Sequence, residues 1–170
     1  MNRPAAELVI AEEDPHTADV VEVLEAHLAL MRRISPPGHV HALDLDGLTV
    51  PAITFLTARR HGDLLGVGAL KVLDARRGEI KSMHTTAAAR GQGVGRRLVQ
   101  FVIALAAERE LGWLGLETGT QAEFEPARSL YRSFGFTVCE PFGEYTVNPY
   151  SVCFDLDLAA ADQSAGAVGA

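Results

Sequence analysis

Cysteine, aromatic residues and basic charge are all scarce in this 170-residue chain. Its 2 cysteines, Cys139 and Cys153, fall in two late strand-like segments, and no metal-ligand spacing accompanies them. We therefore expect neither a disulfide scaffold nor a metal centre. The two thiols are interpreted as small buried hydrophobic groups, although a disulfide is compatible with pairing of the two strands. The net charge of −7 argues against a nucleic-acid partner, because nucleic-acid binding needs a basic surface.

Long hydrophobic runs are also missing. No apolar run reaches membrane-spanning length, and the opening residues, MNRPAAELVI, lack the hydrophobic region of a secretory signal. We therefore expect a cytoplasmic protein without a membrane partner. With 48% hydrophobic residues, the chain suits one compact domain, predicted over 1–158 and followed by a disordered Ala/Gly-rich tail over 159–170.

Helical and strand periodicities alternate along the chain. The first helix is predicted to begin with an N-cap at Asp14 and Pro15 at its first position, and to end before Ser35. An antiparallel meander follows over 52–85. The strand-like segments are 7–12, 52–60, 64–73, 78–85, 113–118, 136–141 and 150–158. The other helical segments are a short one within 39–48, a long one over 93–110 and one over 125–134.

A glycine-rich turn joins the strand that ends at Thr85 to the long helix. It reads Arg90-Gly91-Gln92-Gly93-Val94-Gly95. The N–H groups of a helix N-terminus favour an anion, and glycines let the backbone approach it closely. The spacing G-x-G-x-G is wrong for a Rossmann dinucleotide fingerprint, and no G-K-[ST] follows to make a P-loop. The turn therefore predicts a phosphate or pyrophosphate site, with the Arg90 guanidinium beside it.

This R-x-x-G-x-G pattern resembles the coenzyme A loop of the GCN5-related N-acetyltransferase (GNAT) superfamily. The segment from Ala127 to Phe136 looks like the A-x-x-L-Y-x-x-x-G-F segment of the same superfamily. The resemblance implies the α/β (α+β) GNAT fold: a mixed, mostly antiparallel sheet of about seven strands, splayed between strands 4 and 5 and flanked by about four helices. One departure is Phe124, where the family often has a cofactor-contacting asparagine, which puts contacts from that loop in question.

The resemblance also implies how acetyl-coenzyme A is bound. Pantetheine would pair with the strand over 78–85, and the pyrophosphate would meet the amides of the glycine-rich turn. An N–H aimed at the developing oxyanion is worth about 3–4 kcal/mol in other acyl-transfer enzymes. The residues implied in donor binding are Met83, Thr85, Arg90, Gly91, Gln92, Gly93, Val94, Gly95 and Arg96.

Acetyl transfer to an amine needs a base for the amine and an acid for the leaving thiolate. Tyr131 matches the acid of the family; the alternative is an amphipathic core tyrosine. Glu79 matches a glutamate that works through water in several relatives, but it could equally be a sheet-edge or surface carboxylate. His84 is the competing base, and its alternative is a structural or solvated histidine at a strand end. By strand alternation, Glu79 and Met83 should share one face and His84 the other, so that both bases face the acceptor only if a bulge intervenes.

The acceptor pocket of this fold lies between the first helix and the last strands. Arg32, Arg33 and His39 are expected on one side, where an arginine could bind a carboxylate. Glu144 and Tyr145 are expected on the other, where a glutamate could bind an ammonium. The two arginines also have a plain explanation at a helix C-terminus, where they interact favourably with the helix dipole. The segments from Met31 to Leu48 and from Gly78 to Met83 look like those of a small bacterial subgroup of uncertain substrate.

The sequence thus predicts an acetyl-CoA-dependent N-acetyltransferase that acts on a small, amino-acid-like primary amine. We expect direct attack without an acyl-enzyme, because neither cysteine lies near the donor motif. Two alternatives stay open: a protein acetyltransferase acting on lysine or an N-terminus, and a coenzyme-A-binding module without catalysis. We also predict a homodimer, since many relatives are dimers. The late strands carry Val147, Val152 and Phe154, which are more apolar residues than one sheet face needs.

Overall fold

The computed structural model describes residues 7–159, which form seven strands and four α-helices. The strands are β1 (Val9–Glu12), β2 (Ile53–Arg60), β3 (Asp63–Val72), β4 (Arg77–Thr85), β5 (Trp113–Gly119), β6 (Thr137–Cys139) and β7 (Ser151–Asp157). The helices are α1 (Ala18–Ile34), α2 (Leu45–Leu48), α3 (Val94–Glu108) and α4 (Glu125–Ser133). Short 3-10 turns at Ala87–Ala89 and Ala122–Phe124 precede α3 and α4.

The seven strands form one mixed sheet in the order β1-β2-β3-β4-β5-β7-β6. Neighbouring strands are antiparallel except β4 and β5, which run parallel. The predicted meander is confirmed: β2 and β3 join through His61 and Gly62, whose φ angles of 54° and 91° suit a tight two-residue turn. The sheet therefore has the mixed, mostly antiparallel architecture that the sequence predicts.

Each face of the sheet carries its own apolar cluster. On one face α3 buries Val94, Leu98 and Val102 against the sheet, with Leu114 of β5 in the same cluster. On the other face α1 packs Val20 and Leu24 against Phe55 and Val67. Because helices cover both faces, the central strands β2 to β5 are largely buried.

The start of α1 differs from the prediction. Asp14 does not cap the helix; its carboxylate accepts the His16 backbone N–H at 2.9 Å, and α1 begins at Ala18 with Thr17 at the cap position. An aspartate two residues before an N–H donor closes its own local turn, and this competes with helix capping. The predicted end of the helix before Ser35 is confirmed.

The late strands bear on two expectations, the state of the cysteines and the surplus of apolar residues, and correct the second. Cys139 and Cys153 are directly opposite in the β6–β7 register, yet both thiols are free. Phe154 is fully buried and Val152 partly buried, so only Val147, at 83% exposure, remains of the surplus apolar residues. The proposed tail lies outside the described residues apart from Ala159, and the domain bounds of 1–158 stay a prediction. No helix within 7–159 is long and apolar enough to cross a membrane.

Candidate active site

A groove opens where β4 and β5 separate. The two strands pair only from Arg77 to Glu79 and from Trp113 to Gly115, and beyond that point they diverge. The resulting cavity has a volume of about 930 Å³. It is lined by the diverging parts of both strands, the C-terminal half of α1, the segment after α1, the glycine-rich turn and α4. The predicted splay between strands 4 and 5 is therefore present, and it leaves unpaired strand backbone beside a cavity.

A β-bulge in β4 decides which of its side chains lie on the face of the sheet that α1 covers. The register between β3 and β4 shifts between Val67 and Ala69, and Ser82 has a φ of 54°, in the left-handed region. The bulge inserts one residue, so His84 returns to the face that carries Glu79 and Lys81. The expectation from simple alternation is therefore wrong: both candidate bases lie on the α1 face of the sheet.

The donor end of the groove is built around the start of α3. Gly91 and Gly93 have φ angles of 76° and 77°, which L side chains rarely adopt, and a Cβ at either would meet nothing within 4 Å. Glycine is thus needed here for backbone conformation and not for lack of space. No side chain caps α3, so its first N–H groups are available to an anion. Arg90, Gly91, Gly93, Val94, Gly95 and Arg96 all line the groove.

Two predicted donor residues have protein partners of their own. The Gln92 backbone N–H donates to the Ala89 carbonyl at 3.3 Å, and its side-chain amide bonds the Ala88 carbonyl and the Arg60 guanidinium. Gln92 therefore braces the turn. Arg96 donates to the Ser133 hydroxyl at 3.0 Å and lies over the Phe134 ring, which ties α3 to the end of α4.

The two predicted donor residues of β4 line the groove on its strand side. The Thr86 N–H donates to the Leu65 carbonyl of β3 at 2.9 Å. Because successive N–H groups of a strand point to opposite edges, the Thr85 N–H is directed toward the gap between β4 and β5. The Met83 thioether lies over Gly68, on the α3 face of the sheet. The backbone of β4 near Thr85 therefore presents an unpaired N–H to the groove.

Tyr131 lies where α4 meets the groove. Its side chain is 6% exposed and its ring packs edge-on against Phe136, with centroids 5.8 Å apart. Among residues 7–159 no protein group hydrogen-bonds to its hydroxyl. Burial raises the pKa of Tyr131, so the phenol keeps its proton at neutral pH and can act only as a donor of that proton. Phe124, in place of the family asparagine, packs its ring over Gly119 at the end of β5.

Glu79 is held by other side chains and does not line the groove. It is 4% exposed, accepts the Tyr145 hydroxyl and forms a salt bridge with Lys81 at 3.4 Å. Lys81 also donates to the Tyr145 hydroxyl at 2.7 Å and to the His41 carbonyl at 3.2 Å. Burial, and next the Glu79 charge, raise the pKa of Tyr145. These contacts fix a polar cluster in which Lys81 lines the groove while Glu79 and Tyr145 lie behind it.

His84 does line the groove, and it contacts a histidine of α1. The Nδ1 atoms of His27 and His84 are 3.2 Å apart. Burial and then the Arg90 charge lower the pKa of His84, while burial and then His84 lower the pKa of His27 to about 4. Both imidazoles are therefore neutral at pH 7, the state in which a histidine can accept a proton.

Glu117 brings a carboxylate to the groove from β5, two residues beyond the last pairing with β4. Burial raises its pKa, opposed by His41 and by a hydrogen bond from Ser151. Among residues 7–159 no basic side chain forms a salt bridge with it. A groove-facing carboxylate without an ion pair is a ready partner for a cation.

The expected acceptor residues divide into two groups. Arg33 and His39 line the groove, whereas Arg32 and Glu144 are exposed outside it and Tyr145 lies behind its wall. The sequence did not identify His27, Lys81 or Glu117 as site residues. His27 lies three residues after Leu24 and seven after Val20, a spacing that predicts the buried face of α1. Glu117 alternates with the buried leucines of β5, which places it on the opposite face.

A mixed sheet that parts between two parallel strands, beside a helix with a glycine at its N-cap, is the architecture of an acyltransferase fold. The sequence model of the acetyltransferase (GNAT) family matches residues 20–136. The uncharacterized N-acetyltransferase YsnE of Bacillus subtilis is 50% identical over 133 residues, covering 78% of this chain and 88% of YsnE. The chain belongs to the GNAT family, and it is an acetyl-CoA-dependent N-acetyltransferase.

Other relatives extend the comparison. An IAA acetyltransferase of Azospirillum brasilense is 36% identical over 153 residues, which cover 89% of this chain and 98% of that protein. Among solved structures, an acyl-CoA N-acyltransferase of Klebsiella pneumoniae matches with a TM-score of 0.76 at 27% identity, over 89% of this chain and 97% of that one. A GNAT acetyltransferase of Elizabethkingia anophelis with acetyl-CoA bound matches with a TM-score of 0.65 at 17% identity, over 91% and 99%. The last of these shows a shared fold.

Proposed function

We propose that this enzyme transfers the acetyl group of acetyl-CoA to the primary amine of a small, amino-acid-like molecule by direct attack. One observation supports this most: the bulge at Ser82 turns His84 onto the α1 face of the sheet, the face that also carries Lys81 and, across the gap, Glu117. Donor and acceptor could then meet between β4 and β5. α1 and the segment after it cover the acceptor side, which favours a small acceptor over a protein chain.

The donor residues fit acetyl-CoA. Gly91 and Gly93 leave open space at the uncapped start of α3, where Gly95 and Arg90 also line the groove. In our proposal the pyrophosphate accepts from the amides of Gly93, Val94 and Gly95, and the free edge of β4 near Met83 and Thr85 pairs with pantetheine. Gln92 supports the turn through its side chain. Arg96 shapes the wall, because its guanidinium is held by Ser133.

His84 is the better candidate for the base. Glu79 is occupied by Tyr145 and Lys81, whereas His84 faces the groove and is neutral. His84 would take one proton from the acceptor ammonium, and the freed nitrogen would form the C–N bond as the C–S bond breaks. Tyr131 would give its proton to the departing sulfur and regain one from the amine nitrogen. One proton then leaves on His84, so the charges and protons balance.

Glu117 and Arg33 suggest what the acceptor carries. In our proposal Glu117 binds the ammonium before it is deprotonated, the role first expected of Glu144, and Arg33 binds a carboxylate at the mouth of the groove. His39 lies on the same side, with its ring 4.9 Å from that of Tyr150. Together these groups favour an amino-acid-like amine.

The test is an amine panel assayed by the release of free coenzyme A thiol. It contains amino acids, diamines, simple alkyl amines and short peptides, each with the wild-type enzyme and with Tyr131→Phe as the matched inactive control. We expect turnover with small amines that carry a carboxylate. Turnover confined to peptides would favour the protein acetyltransferase. Binding of acetyl-CoA without turnover of any amine would favour a module that has lost catalysis.

We further propose a homodimer that associates through the β6 edge. Val138 of β6 is 64% exposed, Val147 in the segment between β6 and β7 is 83% exposed, and β6 is the last strand of the sheet. An exposed apolar edge strand is a template for pairing with a second chain. Light scattering at micromolar concentration should give twice the mass of the chain, and a monomer mass would refute the proposal. The cytoplasmic location likewise stays a prediction.

A further inference from the structure

The contact between His27 and His84 joins α1 to the candidate base. His27 is 7% exposed and packs on the buried face of α1. Its Nδ1 atom is 3.2 Å from the Nδ1 atom of His84, and the ring centroids are 5.0 Å apart. The bulge at Ser82 makes this contact, because it turns His84 onto the α1 face.

Two nitrogens at hydrogen-bond distance need one proton between them. Since burial and the neighbouring His84 lower the pKa of His27 to about 4, His27 carries a single ring proton at neutral pH. Two arrangements remain. If His27 donates, the ring proton of His84 lies on Nε2, and the Nδ1 lone pair of His84 accepts the hydrogen bond from His27. His84 then has no free lone pair to act as a base. If His84 donates from Nδ1, its Nε2 lone pair is free.

We propose that His27 is a positioning residue: it accepts the Nδ1–H of His84 and so keeps the Nε2 lone pair of His84 free for the acceptor amine. The inference rests on the proposed role of His84 as base. Only this arrangement suits both states of His84, because protonation at Nε2 then leaves the Nδ1–H bond in place. No proton has to cross the contact during turnover.

The charges around His84 show why such a partner matters. Arg90 approaches from the glycine-rich turn and disfavours the imidazolium, Lys81 precedes it on the same face of β4, and Glu117 lies across the gap on β5. Its neighbour on β3 is Val67, which carries no charge. Among residues 7–159 the hydrogen-bond partner of the His84 ring is His27. A neutral acceptor at Nδ1 stabilises the imidazolium against the Arg90 charge.

The first test needs no substrate. Nitrogen NMR of protein labelled with ¹⁵N-histidine distinguishes the two neutral tautomers of each ring by their nitrogen shifts. We expect His84 in the Nδ1–H form and His27 in the Nε2–H form. In His27→Leu, which fills the buried site without a polar atom, His84 should revert to the Nε2–H form that histidine favours in water. His27→Asn puts an oxygen near the Nδ1 position and should preserve the Nδ1–H form. An Nε2–H form of His84 in the wild type would overturn the inference.

The second test is the pH profile of kcat/KM with the best amine of the panel. Loss of the acceptor destabilises the His84 imidazolium and lowers its pKa, so the acid limb should move down by about one pH unit in His27→Leu. The plateau should fall about tenfold, and His27→Asn should restore both. If His84→Gln leaves the acid limb in place, the base assignment fails. If His84→Gln removes the limb while His27→Leu leaves it unmoved, only the role of His27 fails.

Discussion

The two sides of the groove are built from different parts of the chain. The proposed donor side consists mainly of backbone: two glycines with positive φ, an uncapped helix start and an unpaired strand edge, with Arg90 beside them. The acceptor side consists of side chains from four elements that are far apart in sequence, held by contacts such as His27 with His84. A backbone site tolerates many side-chain changes, whereas a side-chain site is altered by each of them. The comparison explains how one donor can be combined with different acceptors on a single fold.

The largest effect that we expect comes from Tyr131, which lies between the two sides. Tyr131→Phe keeps the ring packing against Phe136 and removes only the proton donor. Turnover should fall by about 10²–10⁴-fold, the usual contribution of a positioned acid, with little change in acetyl-CoA affinity. The melting temperature should stay the same, because the hydroxyl has no protein partner to lose within 7–159. Turnover within a few-fold of wild type would mean that Tyr131 is only a core residue and not the acid.

A change at Gly93 should weaken acetyl-CoA binding without affecting the acceptor side. Aspartate and asparagine both tolerate positive φ, so either can replace Gly93 without unfolding the turn. Gly93→Asp sets a carboxylate beside the anion site and should weaken acetyl-CoA binding on the order of 100-fold, measured by calorimetric titration. Gly93→Asn has the same shape without the charge, and should cost far less. Equal losses in the two variants would mean that shape, not charge, governs the site.

A change at Glu117 should break the acceptor side alone. Glu117→Gln removes the charge from the groove, and the KM of the amine should rise by about 10-fold or more, since a hydrogen bond to a charged group is lost. The matched control is Glu144→Gln, an exposed glutamate outside the groove that should leave KM unchanged. Equal KM values for the two variants would mean that Glu117 does not bind the acceptor.

The smallest effect that we expect comes from relieving the backbone strain at the bulge in β4. Ser82 has a φ of 54°, and its buried hydroxyl oxygen has no hydrogen-bond partner within 7–159. Both features are costly, so Ser82→Gly should stabilise the protein by about 1 kcal/mol in urea unfolding. Ser82→Ala removes the hydroxyl but keeps the strain, and its gain should be smaller. A loss of stability in Ser82→Gly would contradict the presence of strain at the bulge.

The difference between the two sides also sets what sequence can predict. Local sequence patterns mark the glycine-rich turn, the segment around Tyr131 and the order of the strands. The fold could therefore be predicted from these patterns. The bulge leaves none, because a serine with positive φ looks like any other strand residue. His27 and His84 are 57 residues apart, and Glu117 comes close to Lys81 only through the parallel pairing of β4 with β5. Such contacts are set by tertiary packing, which periodicity does not encode.

The separation of the two sides is tested most directly by a calorimetric titration of acetyl-CoA into the double variant Glu117→Gln/His84→Gln. Both side chains belong to the acceptor side, and neither is part of the backbone site at α3. We expect a Kd within about threefold of the wild-type value, in a protein that no longer turns over the amine. A Kd weakened by about tenfold or more would contradict it, because the donor would then depend on the acceptor side chains.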